Sequence, residues 1–169
     1  MLNRIKTNRL ILKPYCDTDQ NRMIELLTNE NIKETFMIPN FHSMSDAISM
    51  FKKIQSYSYS DDHYELGVYL EENLIGFVND VSIENEKIEL GYVIDPNFHN
   101  KGYATEAIAA VIKDLFQKGY KEVCAGAFES NKASCKVMEK CGMKRIDKEE
   151  DILYKDKKHH CIYYSIKQI

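Results

Sequence analysis

The feature that most constrains the fold is a change of hydrophobic period in the middle of the chain. Strand-like segments follow one another at 64–70, 74–82 and 87–94, and short polar links separate them. Links this short favour consecutive antiparallel strands. An amphipathic stretch at 104–118 then repeats its apolar residues at helical spacing, and a further strand-like segment follows at 121–128. A right-handed crossover is expected there, which makes the strands on either side of the helix parallel.

The rest of the chain completes a mixed α/β pattern. Alternating apolar residues predict strands, and apolar residues at helical spacing, bounded by capping residues, predict helices. The further expected elements are a strand at 7–13, a helix that Asp17 caps and that reaches about residue 28, helical pieces within 31–59 with 43–58 the better stretch, a helix from Asn131 to Cys141, and strands at 143–153 and 159–167 around a turn at 155–158.

Length and composition favour one cytosolic domain. The chain has 169 residues, within the roughly 100–200 residues of one domain, so residues 1–169 are expected to form a single domain. No apolar run reaches ~18 residues and the first residues hold no signal-like stretch, so neither a membrane span nor export is expected. A balance of 23 basic and 26 acidic residues argues against a nucleic-acid partner. The five cysteines form no C-x-x-C pair and are expected to be free thiols.

The segment at 99–104, with the sequence HNKGYA, has the features of an anion site. Gly102 and Ala104 leave room for a ligand to approach the backbone, and Lys101 adds a positive charge. The free N–H groups and the dipole at the start of the following helix favour an anion. The segment therefore indicates a phosphate or diphosphate cradle, although an ordinary strand-to-helix turn with one glycine fits equally well. The Walker and dinucleotide fingerprints are both absent from the sequence.

The stretch GYVIDPNFHNKGYATEA closely resembles the acetyl-CoA-binding motif of the GNAT superfamily of N-acetyltransferases, usually written [QR]-x-x-G-x-[GA]. The segments IELGYVI, NKASCKVMEKCGM and TNRLILKPY are similar to the branch that acetylates ribosomal-protein N-termini, spermidine and related amines. The likeness covers nearly the whole chain. One departure stands out, because His99 occupies the position where the family usually has Gln or Arg.

The resemblance implies a single-domain α/β fold with a mixed, mostly antiparallel sheet, splayed central parallel strands and flanking helices. The pantetheine arm of acetyl-CoA, the cosubstrate, would enter where the strands at 87–94 and 121–128 diverge. The implied coenzyme-binding residues are Tyr92, Val93 and Ile94 along the arm, His99, Asn100, Lys101, Gly102, Tyr103, Ala104 and Thr105 at the diphosphate, and Asn131, which would both cap a helix and bond to the arm.

The resemblance also implies the catalytic groups. A primary amine is protonated at neutral pH and must lose a proton before it attacks a thioester. Glu89 stands at the position that this branch often uses for the base, although a solvated strand glutamate is the alternative. Backbone N–H groups near Val93 or Ile94 would hold the developing oxyanion. Met138 replaces the tyrosine acid of many relatives, and Ser134 is the substitute seen in some of them, unless it is a plain helix serine.

These features predict transfer of the acetyl group of acetyl-CoA to a primary amine by direct attack. The acceptor is either a protein N-terminal α-amine or a small polyamine-like or aminoglycoside-like molecule. The negative charges of Asp61, Asp62 and Glu65 weakly favour a cationic acceptor. A non-catalytic acyl-CoA-binding sensor or regulatory module is the alternative. No metal site is expected, because the adjacent His159 and His160 would point to opposite faces of a strand. Relatives are often dimers, so a homodimer is a further expectation.

Overall fold

The computed structural model describes residues 3–169, which form eight strands and five helices. No helix among these residues is long and apolar enough to cross a membrane. The strands are β1 (Ile5–Lys6), β2 (Leu10–Lys13), β3 (Glu65–Leu70), β4 (Asn73–Glu84), β5 (Lys87–Ile94), β6 (Glu122–Phe128), β7 (Lys144–Tyr154) and β8 (Lys157–Lys167). The helices are α1 (Gln20–Leu27), α2 (Glu30–Thr35), α3 (Met44–Ser58), α4 (Tyr103–Gln117) and α5 (Lys132–Lys140).

The strands form one open sheet in the order β1-β2-β3-β4-β5-β6-β8-β7. The pairs β1–β2, β2–β3, β3–β4, β6–β8 and β8–β7 are antiparallel. All of them join strands that are consecutive in the chain except β6–β8, because β7 lies between those two strands in the sequence. The pair β5–β6 is parallel, and α4 supplies the crossover between its strands. The expected mixed, mostly antiparallel α/β fold is confirmed.

The parallel pairing of β5 with β6 is short. It matches Lys87–Leu90 of β5 to Glu122–Ala125 of β6. The remaining residues of β5, Gly91–Ile94, lie outside this register, whereas β6 continues its antiparallel pairing with β8 as far as Phe128. The parallel register therefore ends midway along β5, as splayed strands require.

The chain divides into two compact units, each with its own packing. One comprises the residues up to Asn79 together with Tyr92–Tyr103, and the other comprises Asp80–Gly91 together with Ala104–Ile169. A cluster in the first unit is built on Tyr15, Met23, Leu26, Leu27, Ile32, Ile38, Phe51, Tyr69, Leu74, Phe77 and Val93, and a cluster in the second on Phe128, Cys161 and Tyr163.

The first expected strand is in fact a hairpin. The Thr7 hydroxyl accepts a hydrogen bond from the backbone N–H of Leu10 at 2.9 Å, and the Thr7 N–H donates to the Leu10 carbonyl at 2.9 Å. A side-chain bond of this kind competes with the strand ladder and forms a tight turn. The turn separates β1 from β2, so the predicted strand begins at Leu10 rather than Thr7.

The expectation that Asp17 caps α1 is wrong, because Asp17–Asp19 forms a 3-10 turn and the N-cap of the helix, which begins at Gln20, is Asp19. Asp19 is the residue that organises this turn, since its carboxylate accepts from the Cys16 N–H at 2.7 Å and from the Tyr69 hydroxyl at 2.6 Å. The Asp17 carboxylate instead accepts from the Gln55 amide at 2.8 Å.

The last hairpin turns more tightly than expected. Only Lys155 and Asp156 lie between β7 and β8, and both have positive φ angles, 52° and 58°. Two successive left-handed residues make the two-residue turn whose twist suits antiparallel strands. Neither residue is the glycine or asparagine that usually marks such a turn, so the sequence predicts a longer turn of four residues, 155–158.

An ion pair fixes the end of β5 to α1. Asp95 directly follows β5 and is only 3% exposed. Its carboxylate accepts from the Arg22 guanidinium and from the Asn97 N–H, and its own N–H donates to the Ile75 carbonyl at 2.7 Å. Arg22 also donates to the Leu74 carbonyl at 2.9 Å. The point at which the chain leaves β5 is therefore held from several directions.

Replacing Arg22 with Met should leave the buried Asp95 carboxylate without its positively charged partner. We expect the free energy of unfolding to fall by about 2 to 3 kcal/mol, a value reduced for the partial exposure of Arg22. Arg145→Met is the matched control, because Arg145 pairs with Glu149 at the surface and should cost under about 1 kcal/mol. Urea unfolding measures both, and equal losses would contradict the role assigned to Asp95.

Candidate functional site

The loop that joins β5 to α4 contains two left-handed residues. Asn100 has φ 61° and Gly102 has φ 80°, with the exposed Lys101 between them. Left-handed residues in such a turn bring successive backbone N–H groups towards one side, which is the geometry of backbone anion sites. The loop ends where α4 begins at Tyr103, so it also presents the free N–H groups of a helix start.

The surroundings of Gly102 leave space for a ligand. A Cβ atom built at this position would meet only one atom within 4 Å, the Arg9 Nη2 at 3.4 Å. Gly102 is exposed, and Tyr103, Ala104 and Thr105 in the first turn of α4 are half-buried. An open backbone at the start of a helix can hold an anion such as a phosphate or diphosphate.

His99 bonds to the protein itself. Its Nε2 lies 2.6 Å from the Ile94 carbonyl oxygen, so the tautomer protonated at Nε2 donates to the end of β5. The His99 backbone N–H donates to the Pro96 carbonyl at 3.2 Å. The residue that departs from the family motif therefore braces the loop against the strand that precedes it.

The arm-binding residues of the sequence analysis lie at the end of β5. Val93 and Ile94 are 6% and 8% exposed, and Tyr92 is half-buried. The Val93 carbonyl oxygen lies only 2.1 Å from the place that a Cβ on Gly76 would occupy. Since no side chain fits that gap, glycine at position 76 sets how closely β4 approaches Val93.

Glu89 belongs to a cluster that no local sequence pattern predicts. Its Oε2 lies 3.8 Å from the Lys148 ammonium, and its side chain is only 18% exposed. Lys148 in turn lies 4.1 Å from the centre of the Tyr163 ring, and the Tyr163 hydroxyl donates to Glu150. Burial, reinforced by the hydrogen bond to Glu150, raises the pKa of Tyr163. Glu89 is therefore not simply a solvated strand carboxylate.

Asn131 and Ser134 meet at the start of α5. The Asn131 Oδ1 accepts from the Ser134 N–H at 3.2 Å, so Asn131 caps the helix as expected. Ser134 is half-buried in the first turn, whereas Met138 is fully buried in the core. Met138, at the position where many relatives carry a tyrosine, therefore packs in the core.

Two other groups of residues contribute less to the site. Glu65 is 7% exposed and accepts from the Tyr15 hydroxyl at 2.6 Å, so its carboxylate does not attract a surface cation, while Asp61 and Asp62 are exposed. Burial raises the pKa of the Cys141 thiol to about 11, which opposes a role as nucleophile.

Over residues 3–169, no three His, Cys, Asp or Glu side chains are grouped so that they could hold a metal ion.

Comparisons with known proteins agree with this geometry. The model of the acetyltransferase (GNAT) domain matches residues 9–144. The uncharacterized N-acetyltransferase YnaD of Bacillus subtilis (strain 168) is 29% identical over 145 residues, which cover 83% of this chain and 82% of YnaD. The crystal structure of a GNAT-family acetyltransferase from Bacillus anthracis is 25% identical with a TM-score of 0.83, covering 98% of each chain.

A more distant structure has the same fold with a bound ligand. The ribosomal alpha-N-protein acetyltransferase RimL, solved in complex with coenzyme A, is 13% identical to this chain with a TM-score of 0.85. The alignment covers 98% of both chains. At this identity the likeness shows the fold alone.

Gly102→Ala tests whether the loop is an anion cradle. The substitution forces a left-handed φ on alanine, which costs about 1 to 2 kcal/mol, and places a methyl group 3.4 Å from the Arg9 Nη2, which lies against the loop. Gly119→Ala is the control, because Gly119 has φ 100° and open space but caps the far end of α4. We expect similar losses of stability, with the Kd for coenzyme A raised about tenfold or more only in Gly102→Ala. Thermal unfolding and calorimetric titration measure both, and an unchanged Kd in Gly102→Ala would exclude the cradle.

Proposed function

We propose that this chain, which belongs to the acetyltransferase (GNAT) family, transfers the acetyl group of acetyl-CoA to a primary amine by direct attack of the amine on the thioester. Its general activity, acetyl-CoA-dependent N-acetyl transfer, follows from the family and from relatives named N-acetyltransferases. The observation that carries the proposal is the left-handed loop at Asn100 and Gly102, which opens onto the start of α4.

Coenzyme binding is proposed to use backbone donors above all. The N–H groups of 100–105 would hold the diphosphate, and the exposed Lys101 would add a cation. The backbone of Tyr92–Ile94 would pair with the pantetheine arm as a further strand does. His99 would act from the same loop, and Asn131 would contact the arm in addition to its helix-capping role.

Glu89 is proposed as the base that takes the proton of the attacking amine, directly or through a water molecule. Its contact with Lys148, which rests on the Tyr163 ring, supports this role because a carboxylate fixed from one side presents a defined geometry. A backbone N–H at Val93 or Ile94 would stabilise the oxyanion, and such donors contribute roughly 3 to 4 kcal/mol each. The acetyl group moves directly to the amine, and the leaving thiolate would accept a hydrogen bond or proton relayed by Ser134.

The acceptor is proposed to be either a protein α-amine or a small polyamine-like or aminoglycoside-like amine. The α-amine is supported by the similarity in fold to RimL, which is named for acting on a protein N-terminus. The small cation is supported only by the exposed Asp61 and Asp62. We further propose a single functional domain, a cytoplasmic location in keeping with the five free thiols, and a homodimer as in many relatives.

One observation favours a second candidate function, an acyl-CoA-binding sensor without turnover. The position at which many relatives carry a tyrosine acid holds the fully buried Met138. Both functions predict that coenzyme A raises the unfolding temperature, because a ligand that binds only the folded state stabilises it. They differ in one measurement, since only the enzyme releases free thiol from acetyl-CoA when a suitable amine is added.

The role of Glu89 can be tested by Glu89→Gln, which keeps the shape of the side chain and removes the base. With a panel of peptides and small amines as acceptors, we expect kcat to fall about 10²- to 10⁴-fold while the Kd for coenzyme A stays the same. Glu72→Gln, in the exposed turn between β3 and β4, is the control and should match the wild type. A Glu89→Gln enzyme with the wild-type rate across the pH range would remove Glu89 from the mechanism.

Ser134→Ala examines the relay to the thiolate separately. The backbone N–H that Asn131 accepts is retained, so the helix cap and the stability should be preserved. The variant loses one hydrogen bond to a charged leaving group. We therefore expect kcat to fall by up to about tenfold, and the Kd for coenzyme A to stay the same. Steady-state kinetics measure kcat for Ser134→Ala and for Ser130→Ala, a control at an exposed position. Equal kcat values would mean that Ser134 has no role in catalysis.

A further inference from the structure

Arg9 lies against the end of the loop and the start of α4. Its Nη1 donates to the Lys101 carbonyl at 2.9 Å, and its Cζ lies 4.4 Å from the centre of the Tyr103 ring. Its Nη2 lies 3.4 Å from the position that a Cβ on Gly102 would occupy. The guanidinium therefore lies against one side of the segment in which Asn100 and Gly102 are left-handed.

The contact is long-range and depends on the N-terminal hairpin. Arg9 and Lys101 are 92 residues apart in the sequence. Thr7 closes the turn that carries Arg9 through its bonds to Leu10, and Leu10 is 1% exposed where β2 pairs with β3. Arg9 therefore projects from a fixed turn and not from a loose chain end.

The geometry of the peptide unit gives this contact a consequence. In a planar trans peptide, the carbonyl of one residue and the N–H of the next point in opposite directions. Holding the Lys101 oxygen towards Arg9 therefore turns the Gly102 N–H away from Arg9. A glycine at an open position is otherwise free to rotate this peptide unit, because it lacks a Cβ that would restrict it.

We propose that Arg9 is a positioning residue for coenzyme binding, which fixes the Lys101–Gly102 peptide so that the Gly102 N–H faces the diphosphate. The inference rests on the proposed function, in that coenzyme A must bind at this loop. In this proposal Arg9 acts through the backbone, because its Nη1 donates to the Lys101 carbonyl and its Cζ lies over the Tyr103 ring. A guanidinium suits both contacts, whereas an ammonium lacks the planar fork and the stacking face.

The test compares Arg9→Ala, Arg9→Met and Arg9→Lys with Arg4→Ala, a control that removes an exposed charge from the same segment. Calorimetry would measure binding of coenzyme A, 3′-dephospho-coenzyme A and pantetheine to the full chain. Arg9→Met keeps an apolar stem near the Tyr103 ring and guards against loss of folding, which thermal unfolding checks.

We expect all three Arg9 variants to bind coenzyme A and its dephospho form about tenfold or more weakly, by the same factor for both ligands. Pantetheine lacks the diphosphate, so its affinity should be unchanged. In turnover assays the KM for acetyl-CoA should rise while kcat at saturation stays at the wild-type value. Arg4→Ala should match the wild type in every measurement.

Three results would overturn the inference while the proposed function stands. Full affinity in Arg9→Lys would mean that charge alone suffices, and a loss seen with coenzyme A but not with its dephospho form would make Arg9 a ligand of the 3′-phosphate. Equal weakening of pantetheine would indicate general damage to the structure. A wild-type chain that fails to bind coenzyme A would instead overturn the proposed function, and the role of Arg9 with it.

Discussion

The candidate site depends on how the chain is held where it leaves β5. Asp95 is anchored by Arg22 and by the Ile75 carbonyl, and four residues later His99 binds the loop back to the Ile94 carbonyl. These bonds use carbonyl oxygens and side chains, and they fix the course of the loop without using the N–H groups at its tip. A rigid backbone with its donors directed outward is the arrangement that binds an anion at the least cost in reorganisation.

The same strand links coenzyme binding to the proposed proton transfer. β5 carries Glu89 in its paired half and Val93 in the half beyond the parallel register. Pairing with β6 fixes the first half, and the close approach of Gly76 to Val93 defines the second. Both roles proposed for β5 would therefore depend on how that strand is packed.

The sequence predicts those parts of the protein that depend on local patterns. Alternating residues revealed β3, β4 and β5, and the glycine at 102 together with the helix that follows revealed the loop. Contacts that depend on the register between strands cannot be predicted in this way, because no local pattern in the sequence places Lys148 beside Glu89. In the sequence Arg9 is only part of a segment that resembles the family, since nothing in TNRL indicates a hydrogen bond to a carbonyl 92 residues away.

The turns show the same limit on a smaller scale. Asp17 has the residue type of a helix cap, yet Asp19 takes the organising role because the buried Tyr69 hydroxyl lies within its reach. Lys155 and Asp156 form a left-handed turn that contains no glycine, because the pairing of β7 with β8 compensates for the local strain at Lys155.

Gly76 has a consequence for anyone who wishes to redesign the enzyme. The Val93 oxygen fills the only direction in which a side chain could grow from position 76, so this site offers no room for variation. A library intended to alter acceptor preference can diversify the exposed outer end of β4 but should leave Gly76 untouched, because a methyl group there would displace the strand on which the reaction is proposed to take place.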